Sequence, residues 1–288
     1  MQLIRSVKKM QNLSLKLKRK GKKIGFVPTM GFLHEGHLSL VERCRKDCDI
    51  LVVSIFVNPT QFGPREDYKS YPRDLKRDIK LCKKYNVDII FYPDVKDMYP
   101  EGFETYVELE KLPNHLCGLS RPGHFRGVAT VVTKLFNIVQ PDVAYFGEKD
   151  WQQLKIIEKL VRDLNFPIRI KSGKIIRERD GLAMSSRNKY LSEKERKEAI
   201  CLYKSLLFAK ELIEKGERDV SKIKRKMREL ILKIAPKAKV DYIEIVDPET
   251  LESLSRIKER NLVALAVKIG VARLIDNMLI KVKLTKEI

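Results

Sequence analysis

The first 170 or so residues alternate two hydrophobic periods. Short runs that are mostly apolar lie at 24–28, 49–57, 87–92, 142–146 and 168–170. Between them, at 38–48, 73–85, 128–139 and 152–164, apolar residues return every three or four positions. A strand with no polar face is buried on both sides, and helices returning between strands supply the cover. The pattern therefore predicts a doubly wound parallel sheet, an α/β fold of Rossmann-like class. Ligands of such folds sit outside the carboxyl ends of the strands, so the segments that follow each strand are the ones to search for chemistry.

Near residues 173–177 the pattern changes. Stretches 192–215 and 220–234 read as amphipathic helices, the first opened by Ser192 with Glu195 three residues on, a capping-box spacing. Strand-like runs at 240–246, 262–267 and 273–274 follow without crossover helices, which predicts a smaller α+β domain with an antiparallel sheet. The expected domains are 1–175 and 176–288.

Composition narrows the class. A chain of 288 residues, 43% of them hydrophobic, can bury a substantial core. The longest apolar run, at 50–57, is broken by Ser54, and the Lys-rich stretch 1–23 lacks the continuous apolar segment of a signal peptide. These features predict a cytoplasmic protein without a membrane partner. Cys44, Cys48, Cys82, Cys117 and Cys201 are odd in number and widely spread, which suits a reducing compartment. The net charge of +21 comes from Lys and Arg spread over the whole chain, with dense clusters at 16–23 and 222–228 where amphipathic helices are expected. With no recognised binding module or aromatic-interleaved basic stripe, the charge reads as solvated helix faces, and no nucleic-acid partner is expected.

Four segments carry candidate chemistry. The first, Pro28-Thr29-Met30-Gly31-Phe32-Leu33-His34-Glu35-Gly36-His37, joins a predicted strand to a predicted helix. There, free backbone N–H groups suit a phosphate, and two imidazoles three residues apart can stabilise charge on its oxygens. Zinc ligation by His34, His37, Cys44 and Cys48 is the rival reading, although both Cys lie on the apolar repeat with Leu40 and Val41. The second, Asn58-Pro59-Thr60-Gln61, offers amides at a strand end, suited to hydroxyl and carboxylate groups. The third, Phe146-Gly147-Glu148-Lys149-Asp150-Trp151-Gln152-Gln153, places Lys149 to neutralise a phosphate and Asp150 to cap a helix or orient a ribose or Mg²⁺. The fourth, Met184-Ser185-Ser186-Arg187, supplies two hydroxyls and a guanidinium for a triphosphate. The segment 121–127 packs cations, glycines and His124 before a helix and is a further anion candidate.

Taken together, these blocks resemble the pantothenate synthetase family of the HxGH nucleotidyltransferases. The match includes Ile55-Phe56-Val57 before Asn58 and Arg273-Leu274-Ile275-Asp276-Asn277 near the C-terminus, all in the family's order, from near residue 1 to about residue 280. The resemblance implies an ATP-binding Rossmann-like domain, a smaller C-terminal lid domain and a homodimer. It implies an AMP-forming ligase that activates pantoate as its adenylate with ATP and Mg²⁺ and then joins it to β-alanine. Residues Met30 through His37, Gly147 through Asp150, Ile176 and Met184 through Arg187 would contact ATP, with His37 the proton donor and His34 and Lys149 assisting. Gln61 would contact both pantoate and β-alanine and Gln153 would hold pantoate, while the Asn58 amide is a substrate-contact candidate. Mg²⁺ ligands are not assigned. A nucleotidyltransferase acting on a phosphorylated acceptor would share HxGH, but not Asn58-Pro59-Thr60-Gln61 or the block 148–153 in this form.

Overall fold

In the computed structural model, which describes residues 1–64 and 66–283, the chain forms two compact units. The first comprises Met1–Glu110, Arg121–Glu148 and Gln153–Ile176; the second comprises Lys111–Ser120, Lys149–Gln152 and Arg177–Ile288.

The first unit contains strands β1 (Gln2–Ile4), β2 (Ile24–Thr29), β3 (Ile50–Ile55), β4 (Ile89–Phe91), β5 (Val143–Gly147) and β6 (Arg169–Gly173). They form one parallel sheet in the order β1-β4-β3-β2-β5-β6. This is the doubly wound α/β sheet that the mostly apolar runs predict. Alternation along β2 shows why both faces are apolar. Val27 joins the cluster with Leu40, Val41 and Cys44 of the helix Glu35–Arg45, while Phe26 meets Phe136 of the helix His124–Val139 at 6.4 Å between ring centroids. The winding reverses at β2, which has β3 on one side and β5 on the other. The ends of β2 and β5 therefore flank the crevice that this topology creates.

The Lys-rich stretch 1–23 supplies β1 and the helix Val7–Arg19, whose N-cap Ser6 accepts from Lys9 N at 3.3 Å.

In the second unit, β7 (Lys239–Val246), β8 (Arg260–Ile269) and β9 (Ala272–Lys281) form an antiparallel sheet. Odd positions of β8 (Val263, Leu265, Val267) join the core with the helices Cys201–Glu214 and Val220–Ile234. Even positions (Leu262, Ala264) join a separate cluster with Leu116 and Leu251. The expected helix 192–215 is divided into Glu193–Glu198, closed by the expected capping box at Ser192 and Glu195, and Cys201–Glu214. Ala199 and Ile200 keep right-handed backbone angles, and the ladder tightens there to a Leu202 N→Ala199 O bond. Strand β9 is five times longer than the dipeptide 273–274 suggests, because Asp276 and Asn277, poor strand formers, are buried in it against partners from other segments.

Candidate active site at the strand ends

The loop leaving β2 is built from close contacts. Thr29 Oγ1 donates to Ser54 O at 2.8 Å and accepts from Gly31 N at 3.1 Å, which turns the chain sharply. Gly31 has φ +84°, and a Cβ there would lie 2.8 Å from Ile55 Cγ2 and 3.1 Å from Asp78 Oδ2, so both conformation and space demand glycine. Phe32 follows at φ +50°, unusual for a bulky residue. Asp78 holds it there: its Oδ2 accepts from Phe32 N and its Oδ1 from Leu33 N, each at 2.8 Å. Burial raises the Asp78 carboxyl above its usual range, and the two backbone N–H groups oppose that rise. No local motif announces Asp78. Its signal in the sequence is a carboxylate on the apolar stripe of its helix, three residues after Leu75 and four before Cys82.

His34 then caps the helix Glu35–Arg45. Its Nδ1 accepts from Gly36 N at 3.2 Å, and the Nδ1 of His37 accepts from His34 N at 3.4 Å. Imidazoles thus fill the roles usually taken by Ser and Glu in a capping box. The two rings lie 4.1 Å apart between centroids. With Nδ1 accepting in both, the neutral rings carry their protons on Nε2. Two Nε2–H donors at the positive end of an 11-residue helix make a site suited to phosphate oxygens. The zinc alternative is not realised: Cys44 is fully buried in the core, and among the described residues no three His, Cys, Asp or Glu side chains form a metal-binding group.

Beyond β3, Asn58 is buried and every hydrogen-bonding position of its amide is taken. Its Nδ2 donates to Gln61 Oε1 at 3.0 Å and Gly127 O at 3.1 Å, while its Oδ1 accepts from Thr60 Oγ1 at 3.0 Å and Tyr99 OH at 2.7 Å. Burial pushes the Tyr99 hydroxyl up to about 12, so it remains a donor at neutral pH. Asn58 therefore orients Gln61, whose Nε2 lies 3.4 Å from Met30 Sδ and presents its N–H groups beside the first loop. The structure brings Met30, Gln61 and Asn58 into one connected group.

The segment 121–127 serves that group as a support. Arg121 donates to both oxygens of Glu66 at 2.6 Å and to Gln61 O at 3.3 Å, and His124 Nδ1 lies 2.8 Å from Gln61 O. Burial alone would raise the Glu66 carboxyl, but the Arg121 guanidinium outweighs it and holds the group below its ordinary value. Gly127 lets the helix His124–Val139 meet the turn Pro59–Gln61, since a Cβ would lie 2.3 Å from Thr60 O. The Arg121 charge that suggests an anion site is thus matched by a carboxylate.

At the end of β5, Gly147 pairs with Gly173 of β6, and Ser172 Oγ donates to Glu148 Oε1 at 2.7 Å. Gln153 lies in the helix Trp151–Asp163 and Ile176 lies just past β6, both half-buried in the first unit.

The second unit holds Lys149, Asp150 and Met184 through Arg187. Lys149 Nζ is 3.8 Å from Asp150 Oδ2. Its backbone carbonyl accepts from Asn277 Nδ2 at 2.9 Å, and three residues on Gln152 bonds to Leu112 O, His115 O and Cys117 N. Residues 177–183 make a tight hairpin with an Arg177–Ala183 bridge, and Gly181 (φ +98°) sits where a Cβ would strike the Tyr203 ring. Ser185 then caps the short turn Ser186–Tyr190 by accepting from Arg187 N at 3.3 Å.

Residues 2–279 match the family model described as pantoate-beta-alanine ligase. A protein of Thermosipho melanesiensis named pantothenate synthetase is 60% identical over 280 residues, covering 97% of this chain and 99% of the relative. The crystal structure of pantothenate synthetase from Thermus thermophilus superimposes with a TM-score of 0.91 at 48% identity, covering 96% of this chain and 99% of that one. A Francisella tularensis pantoate-beta-alanine ligase, solved in complex with beta-gamma ATP and beta-alanine, does so with a TM-score of 0.80 at 37% identity, covering 97% of each chain.

Proposed function

The chain belongs to the pantoate–β-alanine ligase family, and from that membership we propose that it joins pantoate to β-alanine in two half-reactions driven by ATP. In the first, a carboxylate oxygen of pantoate attacks the α-phosphorus of ATP. The bond from that phosphorus to the bridging oxygen breaks, and pyrophosphate leaves. In the second, the neutral amine of β-alanine adds to the acyl carbon of the pantoyl adenylate and loses a proton; the acyl C–O bond breaks, and AMP departs. No enzyme nucleophile is needed, and positioning with charge stabilisation supplies the rate.

The observation that carries this reading is the pair of imidazoles at the start of the helix Glu35–Arg45, each with Nδ1 accepting from a backbone N–H. His37 donates to the oxygen that becomes pyrophosphate, His34 steadies the same charge, and the loop Met30 through Gly36 holds the nucleotide. Gln61, turned by Asn58, offers its N–H groups to pantoate and then to the β-alanine carboxylate, while Gln153 holds pantoate. Gly147 through Asp150, Ile176 and Met184 through Arg187 contact ATP, with Lys149 and Arg187 taking phosphate charge, and the portion 176–288 acts as a lid domain. The beta-gamma ATP and beta-alanine of the Francisella complex support the substrate assignment. Mg²⁺ would arrive on the triphosphate, held by phosphate oxygens and water, and would neutralise charge on the departing pyrophosphate. That donor set fits a protein whose described residues form no three-ligand metal group. The enzyme works in the cytoplasm as a homodimer; among the described residues no helix is long and apolar enough to cross a membrane.

Pantoate labelled with ¹⁸O in its carboxylate tests the mechanism. Turnover through the adenylate transfers one labelled oxygen to AMP. Label in inorganic phosphate, with ADP as the nucleotide product, would mean an acyl phosphate and would refute it.

A further inference from the structure

The block Arg273-Leu274-Ile275-Asp276-Asn277 has no part in the reaction outlined above, yet it contains two buried polar residues inside a strand. Consecutive residues of a strand point to opposite faces of its sheet, and each of these grips a different segment of the second unit. On one face, the Asp276 side chain, 0% exposed, accepts both guanidinium nitrogens of Arg177 at 2.6 and 3.0 Å. Arg177 donates onward to Gly181 O at 3.1 Å and stacks over Tyr203, which fixes the hairpin leading into Met184 through Arg187. On the other face, Asn277 Nδ2 donates to Lys149 O at 2.9 Å. The pair is itself locked, since Asn277 N donates to Asp276 Oδ1 at 2.8 Å. A hydrogen bond to a main-chain carbonyl fixes the Cα from which a side chain starts, and a fixed Cα is what a flexible lysine needs to return to one place.

We propose that Asp276 and Asn277 are positioning residues for the nucleotide chemistry, one setting the hairpin that carries Arg187 and the other the backbone of Lys149. The proposal rests on the ATP contacts assigned above to Lys149 and Arg187. Neither Asp276 nor Asn277 touches substrate. Their effect is carried by the two cations, so it must vanish when those cations are removed.

That dependence is the test. The full chain, Asn277→Ala, Lys149→Ala and the double variant are compared for kcat and for KM of ATP and of pantoate, alongside thermal unfolding. A displacement of order 1 Å costs about 100-fold in rate, so Asn277→Ala is expected to lower kcat/KM for ATP by about 10- to 100-fold in the parent. In the Lys149→Ala background the same change is expected to cost less than about two-fold. Asp276→Asn against Arg187→Ala forms the matching cycle. A loss that is equal in both backgrounds, or absent in the parent, overturns the positioning role for the residue concerned. Near-parent turnover of Lys149→Ala alone overturns the assigned role of Lys149 and with it the role of Asn277, and near-parent turnover of Arg187→Ala does the same for Arg187 and Asp276; both are recognisable because positions 276 and 277 are untouched. If Asn277→Ala does not fold, Asn277→Ser removes the amide while leaving room for water, and the cycle is read on it.

Discussion

Replacing Gly127 by alanine sets two known effects against each other. In a helix interior, alanine is favoured over glycine by about 0.5–1 kcal/mol, which alone predicts a more stable protein. The new Cβ, however, would sit 2.3 Å from Thr60 O, 2.5 Å from Thr60 C and 2.7 Å from Gln61 N. All three are main-chain atoms of the turn Pro59–Gln61, so no side chain can swing aside. Reaching even 3.0 Å from Thr60 O requires the helix and the turn to part by 3.0 − 2.3 = 0.7 Å. Overpacking of this kind costs about 1–3 kcal/mol, so the clash cancels or outweighs the propensity gain and the net loss is about 0–2.5 kcal/mol. The same shift stretches the Asn58 Nδ2 bond to Gly127 O, now 3.1 Å, and moves Gln61 by most of an ångström. Because such a displacement costs up to about 100-fold in rate, kcat/KM for pantoate should fall much more than stability does. Denaturant unfolding with pantoate kinetics at saturating ATP gives both numbers. A variant as stable as the parent, with kcat/KM within about two-fold, would refute the reasoning.

Other perturbations separate similar roles. His37→Ala should fold normally but lose most of its adenylation rate, measured as pantoate-dependent pyrophosphate release; near-normal release removes His37 from the mechanism. His34→Ala should also lose about 1 kcal/mol of stability, because it removes the helix cap, and an unchanged unfolding midpoint would show that the cap contributes nothing. Glu66, held below its ordinary pKa by Arg121, contributes stability that is present above the unfolded value and lost as pH falls through the folded one. Glu66→Gln should therefore show a shallower fall in melting temperature than the parent below about pH 4.5, and parallel curves would contradict this. A Cβ at Gly25 would lie 2.6 Å from both Cys44 Sγ and Cys48 Sγ and 2.9 Å from Cys48 Cβ, so Gly25→Ala should destabilise, and the added pair Cys44→Ala, Cys48→Gly, which removes all three atoms, should restore part of the loss. Failure of that rescue would place the strain elsewhere.

The sheet, its helices and the four loop segments were legible because each depends on local signals: apolar period, strand ends, and His, Gly or Lys at a turn. What the sequence hid was long-range. Asp78 reaches back more than 40 residues to hold Phe32 and Leu33, and nothing adjacent to it records that bond. Asn58 was legible as an amide at a strand end, but only the structure shows that Thr60, Tyr99, Gln61 and Gly127 fill all its bonding positions. The charge on Arg121 suggests an anion site because its partner Glu66 lies 55 residues away. Strand β9 reads short in the sequence because Asp276 and Asn277 break the apolar pattern, and they break it for the sake of partners the pattern cannot contain.

The bond from Asn277 to the Lys149 carbonyl also bears on the order of events at the ribosome. Lys149 emerges 277 − 149 = 128 residues before the side chain that fixes its backbone. At about 5–20 residues per second, the interval is roughly 6–26 s. During that time the parallel sheet, whose last strand ends at Gly173, has all its strands available for pairing, while the turn at Lys149 waits for β9 to be made. A nascent chain stalled short of residue 277 would therefore hold every strand of the parallel sheet but lack the side chain that bonds to the Lys149 carbonyl.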